Sequence, residues 1–254
     1  MTGGLRKLFL TELRRQWTIA ACFIPVGLAV LTTFMLFVTL HFQKNFDVAR
    51  QAVQMNLTLV VPLAACLFTI GAVSVDVKEG WLRTLLIRPV SRQQYLLVKL
   101  AALYCSVVIT VIVAGVVPNF VVAAFFVKVP VQFDLGAVLA VHVLLLLQAA
   151  LLVSILVFFS CWLPGVSNVA VLAMWAMISS IVGDYIQMVH WMDKWLVTLK
   201  DYFFPSGFSD AMNAVISKMG TPVAEISWGV AALAIALAAA FWSITKIQVD
   251  KSSE

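Results

Sequence analysis

The sequence predicts an all-α integral membrane protein with six transmembrane helices and both termini on the cytoplasmic side. Three observations lead there. Of the 254 residues, 63 % are hydrophobic and 11 % charged, with a mean hydropathy of +1.02, whereas a soluble domain carries about 25 % charged residues to face water. The charges are clustered, and the 49 residues between Asp134 and Asp184 carry none. Six stretches reach the roughly 20 apolar residues that cross a hydrocarbon core. This composition excludes a disordered chain, a nucleic-acid module and an ordinary cytosolic enzyme. A net charge of +5 suits anionic lipid headgroups and calls for no nucleic-acid partner.

The elements follow in order. Gly4–Gln16 reads as an amphipathic helix on the cytoplasmic membrane surface. At a helical 100° per residue, Leu5, Leu8, Phe9 and Leu13 share a face, with Lys7, Thr11, Arg14 and Arg15 opposite. Arg6 falls on the apolar side, where its stem can snorkel. Thr18–Leu40 is the first span. Cations precede it as in a secretion signal, but its 23 residues exceed a signal core and no small-residue cleavage site follows. The second and third spans are Met55–Val75 and Leu100–Phe126. Leu135–Leu163 and Asn168–Val189 are the fourth and fifth, parted by the breaker Pro164-Gly165. Ile226–Thr245 is the sixth. Eleven of the seventeen Lys and Arg residues then lie on one side, which places that side and both termini in the cytoplasm. Trp17, Trp162, Trp191, Trp228 and Trp242 fall near span ends, as in an interfacial aromatic belt.

Two connections carry more than linkage. In Asp76–Lys99, Gly80 interrupts the preceding helix, and Trp81, Leu82, Leu85 and Leu86 form an apolar ridge on a short helix that Pro89 ends at Arg88. Ser91 and Gln94 form a capping box, so the next helix starts at Arg92 and runs into the third span. About eight residues of helix are unstable alone in water and must rest on something. The five cations here, against Asp76 and Glu79, read as a solvated face near headgroups, and the ridge as a docking surface. The alternative is that the ridge packs under its own helices. The outer connection, residues 190–225, holds the aromatic pieces Trp191–Trp195 and Tyr202–Phe208. Beyond them Met212, Val215, Ile216 and Met219 share one helical face, predicting re-entrant or interfacial helices.

Chemistry is sparse. His142 and Asp184 are the titratable groups clearly inside spans, both near the outer surface, and read as structural. There is no metalloprotease, nucleophile-elbow or CxxC motif, and no G-x-x-x-x-G-K-[ST] phosphate loop, so the chain does not hydrolyse ATP by that route. Cys22, Cys66, Cys105 and Cys161 read as buried small hydrophobes. Asn119, Gln148, Ser154, Asn168, Ser179 and Ser180 read as groups that join helices by hydrogen bonds.

The sequence resembles, across its whole length in architecture and most specifically in residues 76–99, the membrane-spanning subunit of the type 2, export-type ABC transporter permease family. The resemblance rests on Glu79-Gly80, the cluster Leu82, Leu85 and Leu86, the turn Pro89-Val90-Ser91-Arg92, and Lys99 opening the third span. Trp81 departs from the family, where a small polar residue is frequent. The resemblance implies a subunit of an ATP-driven exporter in a prokaryotic cytoplasmic membrane. Two permease subunits, expected as a homodimer, pair with two cytosolic ATPase subunits that hold the ATP and magnesium, so this chain needs no cofactor or metal and is not itself an enzyme. Residues Trp81–Arg88 would be the coupling helix. Glu79, Gly80, Trp81, Leu82, Leu85, Leu86, Arg88, Pro89 and Arg92 are the candidate coupling residues, with Glu79 and Arg92 as polar anchors at its ends. An alternative is a permease-like subunit of an assembly or maturation machine, passing ATP-driven motion or a small cargo to an extracytoplasmic partner through the outer connection, as in copper-enzyme maturation. A standalone secondary transporter or intramembrane enzyme would need central titratable residues.

Overall fold

Each apolar stretch that can be followed folds as helix, as it must where backbone polar groups have no water to bond. The computed structural model describes residues 2–42, 56–86, 90–116, 135–188, 207–217 and 222–247, and these contain no strand. The helices are α1 (Thr2–Gln16), α2 (Ile19–Phe42), α3 (Val61–Thr69), α4 (Ser74–Lys78), α5 (Trp81–Leu86), α6 (Arg92–Val111), α7 (Leu135–Trp162), α8 (Ser167–Met188), α9 (Gly207–Ile216) and α10 (Val223–Lys246). A π-helical turn, Asn56–Val60, leads into α3, and another, Ile112–Val116, continues α6. Four helical stretches are long and apolar enough to cross a membrane: Val61–Lys78, Arg92–Gly115, Leu139–Trp162 and Val223–Lys246. Cys22–Val38 and Ser167–Ile178 are shorter apolar helices. The chain is a multi-pass integral membrane protein.

The centre is α7, which is apolar on every side and therefore packs on every side. It touches α3, α6, α8, α9 and α10, and Leu151, Leu152, Val153, Leu156 and Val157 are buried in it. Small residues let α10 approach it closely. Gly229, Ala232, Ala236, Ala240 and Ser243 line the buried side of α10, the spacing that brings helix backbones together in lipid. At the end of that crossing, Trp162 Nε1 donates to Ser243 Oγ at 2.9 Å. The short helix α9 folds back into the bundle against α7 and α10, burying Phe208, Ala211 and Met212. This is the helix expected around Met212 and Val215. The aromatic piece Trp191–Trp195 and most of Tyr202–Phe208 lie outside the described residues, as do Met55, residues 117–126, Val189 and Met219.

The second span contains a break: α3 ends at Thr69, the chain turns through Gly71 at a φ of +60°, and α4 begins at Ser74. Only a residue without Cβ enters that conformation cheaply. The polar groups at the break find partners at the end of α7, in the turn that follows it and at the start of α8. Ser160 Oγ accepts from Val73 N at 2.9 Å, Asn168 Nδ2 donates to Thr69 O at 2.9 Å, and Gly165 N donates to Ser74 Oγ at 3.2 Å. The cysteines are less buried than expected, with Cys22 exposed and Cys66, Cys105 and Cys161 intermediate. Asn168 joins helices as expected, whereas Ser154 bonds within its own helix, to Ala150 O. Asn119, and the side chains of Ser179, Ser180 and Asp184, lie outside the described residues. His142 is half-buried in α7.

Candidate functional site

The site is assembled where α1 meets the start of α6. The buried arc of α1 carries Leu5, Leu8, Phe9 and Leu13, all partly buried, and in the middle of it stands a carboxylate, Glu12, with 0 % of its surface exposed. A buried charge is tolerated only when paired and hydrogen-bonded. Its partner is Lys99, 5 % exposed, whose Nζ lies 2.9 Å from Glu12 Oε2 and 2.7 Å from Asp76 Oδ2. Asp76 in α4 is 1 % exposed. One ammonium thus joins three helices that are distant in sequence: α1, α4 and α6.

The remaining acceptor positions are filled. Tyr95, one turn before Lys99 on α6, donates its hydroxyl to Asp76 Oδ2. Trp81 Nε1, the first residue of α5, donates to Glu12 Oε1 at 3.1 Å. Arg15 closes the outer edge. Its Nη1 donates to Asp76 Oδ1 and its Nη2 to Glu79 Oε2 at 2.7 Å, and its guanidinium carbon lies 5.5 Å from the Trp81 ring centroid. Partial burial opposes the Arg15 charge, but Asp76, and then Glu12 and Glu79, outweigh it and raise the guanidinium pKa above its ordinary value. Two turns beyond Lys99 on α6, Ser106 accepts from Trp17 Nε1 at 3.0 Å and donates to Gln16 Oε1 at 2.7 Å. The helix α1 is therefore bonded to α6 at Lys99 and again at Ser106, and it packs along α6 between them.

These contacts revise the solvated-face reading of residues 76–99. Asp76 and Lys99 are buried ion-pair partners. Their separation of 23 residues hid this, because at a span boundary a lone cation and a lone acid look like ordinary interfacial charges. Glu12 lies further away still, on α1. The available signal was its place at the centre of an otherwise apolar helical arc, where a carboxylate requires a cation.

The candidate coupling residues divide. Gly80 sits at a φ of +71° between α4 and α5, so it interrupts the helix as expected. Glu79 is exposed and anchored, with Arg15 as its partner. Leu82 is 1 % exposed and Trp81 is half-buried, so this half of the ridge turns into the chain's own core. The side chains of Leu85 and Leu86, and all of Arg88 and Pro89, lie outside the described residues. Ser91 and Gln94 form the predicted capping box, Ser91 Oγ accepting from Gln94 N at 3.2 Å and Gln94 Oε1 from Ser91 N at 3.0 Å. Arg92 anchors a different element: its Nη1 donates to Thr245 O at 3.3 Å and Ile247 O at 2.8 Å, binding the last carbonyls of α10.

A family model described as "ABC-2 family transporter protein" matches residues 28–247. No curated protein matches the chain.

Proposed function

The chain belongs to the ABC-2 family transporter proteins, a permease component of an ABC transporter that works with ABC ATPase partners, and from that premise we propose that it forms the membrane path of an ATP-driven exporter. In this reading six helices span a prokaryotic cytoplasmic membrane with both termini inside. Two copies line the path, and each receives ATP-driven motion from a cytosolic ATPase through residues 76–99. The ATP and magnesium sit on that partner, and this chain supplies no catalytic group.

The observation that carries the reading is the buried Glu12–Lys99–Asp76 cluster. A six-residue helix such as α5 has no stability of its own and can transmit force only if it is fixed to something stiff. Here the segment that bears it is fixed by charge-assisted bonds, stronger than neutral ones, to α1 and to the long helix α6. A push on α5 therefore reaches the bundle through three helices rather than through a loose loop. Leu82 faces the core and secures α5. In this reading Leu85 and Leu86 are the ridge residues through which the ATPase engages α5.

The test is purification in mild detergent, identification of the co-purifying ATPase, and reconstitution of ATP-dependent export. Leu85→Asp and Leu86→Asp are expected to leave membrane insertion intact while abolishing ATPase association and export. Unchanged export and co-purification in both variants would refute the role given to this surface. Recovery of an extracytoplasmic partner instead of transported cargo would point to the assembly-machine alternative.

A further inference from the structure

Gly80 forms a joint between α4 and α5 that its own surroundings do not fix. Nothing lies within 4 Å of the position a Cβ would take there. The backbone bonds on either side stop at the glycine, Gly80 N donating to Val77 O at 3.2 Å and Gly80 O accepting from Thr84 N at 3.0 Å. The Arg15 side chain crosses the joint from outside. Arg15 bonds Asp76 and Glu79 before it and lies against the Trp81 ring after it. Glu12, three residues earlier on α1, holds the indole N–H of the same tryptophan.

We propose that Arg15 is the positioning residue that sets the angle between α4 and α5: a strap across a glycine joint. The proposal rests on the reading of α5 as the element that receives ATP-driven motion. The chemistry selects arginine. A planar guanidinium carries donors on separate nitrogens and presents a flat face to an indole, so it can bridge two carboxylates and stack at once, whereas the point charge of lysine cannot. The position within the cluster matters as well. Glu12, Asp76 and Lys99 are sealed, but the Arg15 side chain is 35 % exposed and Glu79 57 %. The strap can therefore open to water while the ion pairs beneath it stay closed, which leaves the Trp81–Glu12 bond and buried Leu82 as the remaining hold on α5.

The test uses the full chain in lipid nanodiscs, its four cysteines replaced and a nitroxide placed at Thr84→Cys, an exposed position on α5. Spin-label mobility is read by continuous-wave electron paramagnetic resonance, and amide exchange over residues 79–84 by mass spectrometry. Arg15→Lys and Arg15→Gln are expected to shift the label spectrum toward the mobile limit. Exchange is expected to rise roughly tenfold or more, the loss of a hydrogen bond to a charged group. Glu79→Gln, which weakens the exposed arm alone, is expected to give a smaller shift in the same direction. It decides the matter where the Arg15 variants do not fold. A label spectrum and exchange pattern unchanged in Arg15→Lys, or in Glu79→Gln if that is the folded variant, would overturn the strap. Neither readout involves an ATPase. A mobile α5 with export unaffected therefore supports the strap and counts against the proposed function, whereas a rigid α5 overturns the strap alone.

Discussion

Replacing Lys99 by methionine tests the buried cluster most directly. The substitution keeps the length and apolar stem of the side chain and removes only the charge. In the native cluster Glu12 Oε2 and Asp76 Oδ2 share the Lys99 ammonium at 2.9 and 2.7 Å, so the two oxygens stand no more than about 5.6 Å apart. Without the ammonium, two like charges face each other at that distance. With an effective dielectric of about 20, the repulsion is at least about 3 kcal/mol. This agrees with the roughly 3–5 kcal/mol lost when one member of a buried pair is deleted. For a chain of this size such a loss corresponds to a fall in Tm on the order of 10 °C, measurable by fluorimetric melting in detergent. The second half of the test is the pair Lys99→Met with Glu12→Gln. Asp76 keeps Arg15, so removing the charge of Glu12, the carboxylate whose ion-pair partner is gone, should recover most of the loss, since replacing both members of a buried pair is often near neutral. An unchanged Tm in Lys99→Met, or a double variant no more stable than the single, would refute the account of the cluster.

Further predictions concern the other joints of the fold. Ser160→Ala removes the acceptor for the buried Val73 N–H and should cost about 1–3 kcal/mol, read as a lower Tm and faster exchange at Val73 and Ser74. A Cβ at Gly229 would stand 2.7 Å from the Phe208 ring, so Gly229→Leu should lift α9 off α10. In a chain otherwise lacking cysteine, Met212→Cys is expected to resist maleimide, since Met212 is fully buried, and to react once Gly229→Leu is added. Equal reaction with and without the Gly229 change would count against the packing of α9. Arg92→Ala should speed amide exchange over residues 244–247, because both carbonyls it holds are released.

The helices were legible because the membrane makes their signal simple: long apolar runs bounded by breakers. Ser91 and Gln94 gave the start of α6, and Pro164-Gly165 the turn after α7, because caps and breakers act through residues close in sequence. The break at Gly71 was not legible. Its stability lies in Ser160 and Asn168, nearly a hundred residues away, and a glycine in an apolar run looks the same whether its φ is negative or positive. The charge cluster was half legible for the same reason. Lys99 and Asp76 were visible as charges near a span boundary, but their burial depends on α1 folding onto α6 and bringing Glu12 to them. The sequence shows the ridge on α5 as one surface, yet Leu82 is spent inside the chain, because so short a helix needs an anchor of its own.

The break between α3 and α4 has a mechanical consequence. Its freed backbone groups are bonded to Ser160 and Asn168, on either side of the turn between α7 and α8, so the bend is borne by neighbouring helices rather than by its own chain. A lever whose fulcrum belongs to another part cannot tilt without loading that part. Any tilt of α4 that preserves these bonds must drag the α7–α8 turn with it, and α7 touches most of the bundle. A small rotation at one end of a broken helix is thereby delivered to the central helix, by a route separate from the one through α1 and α6.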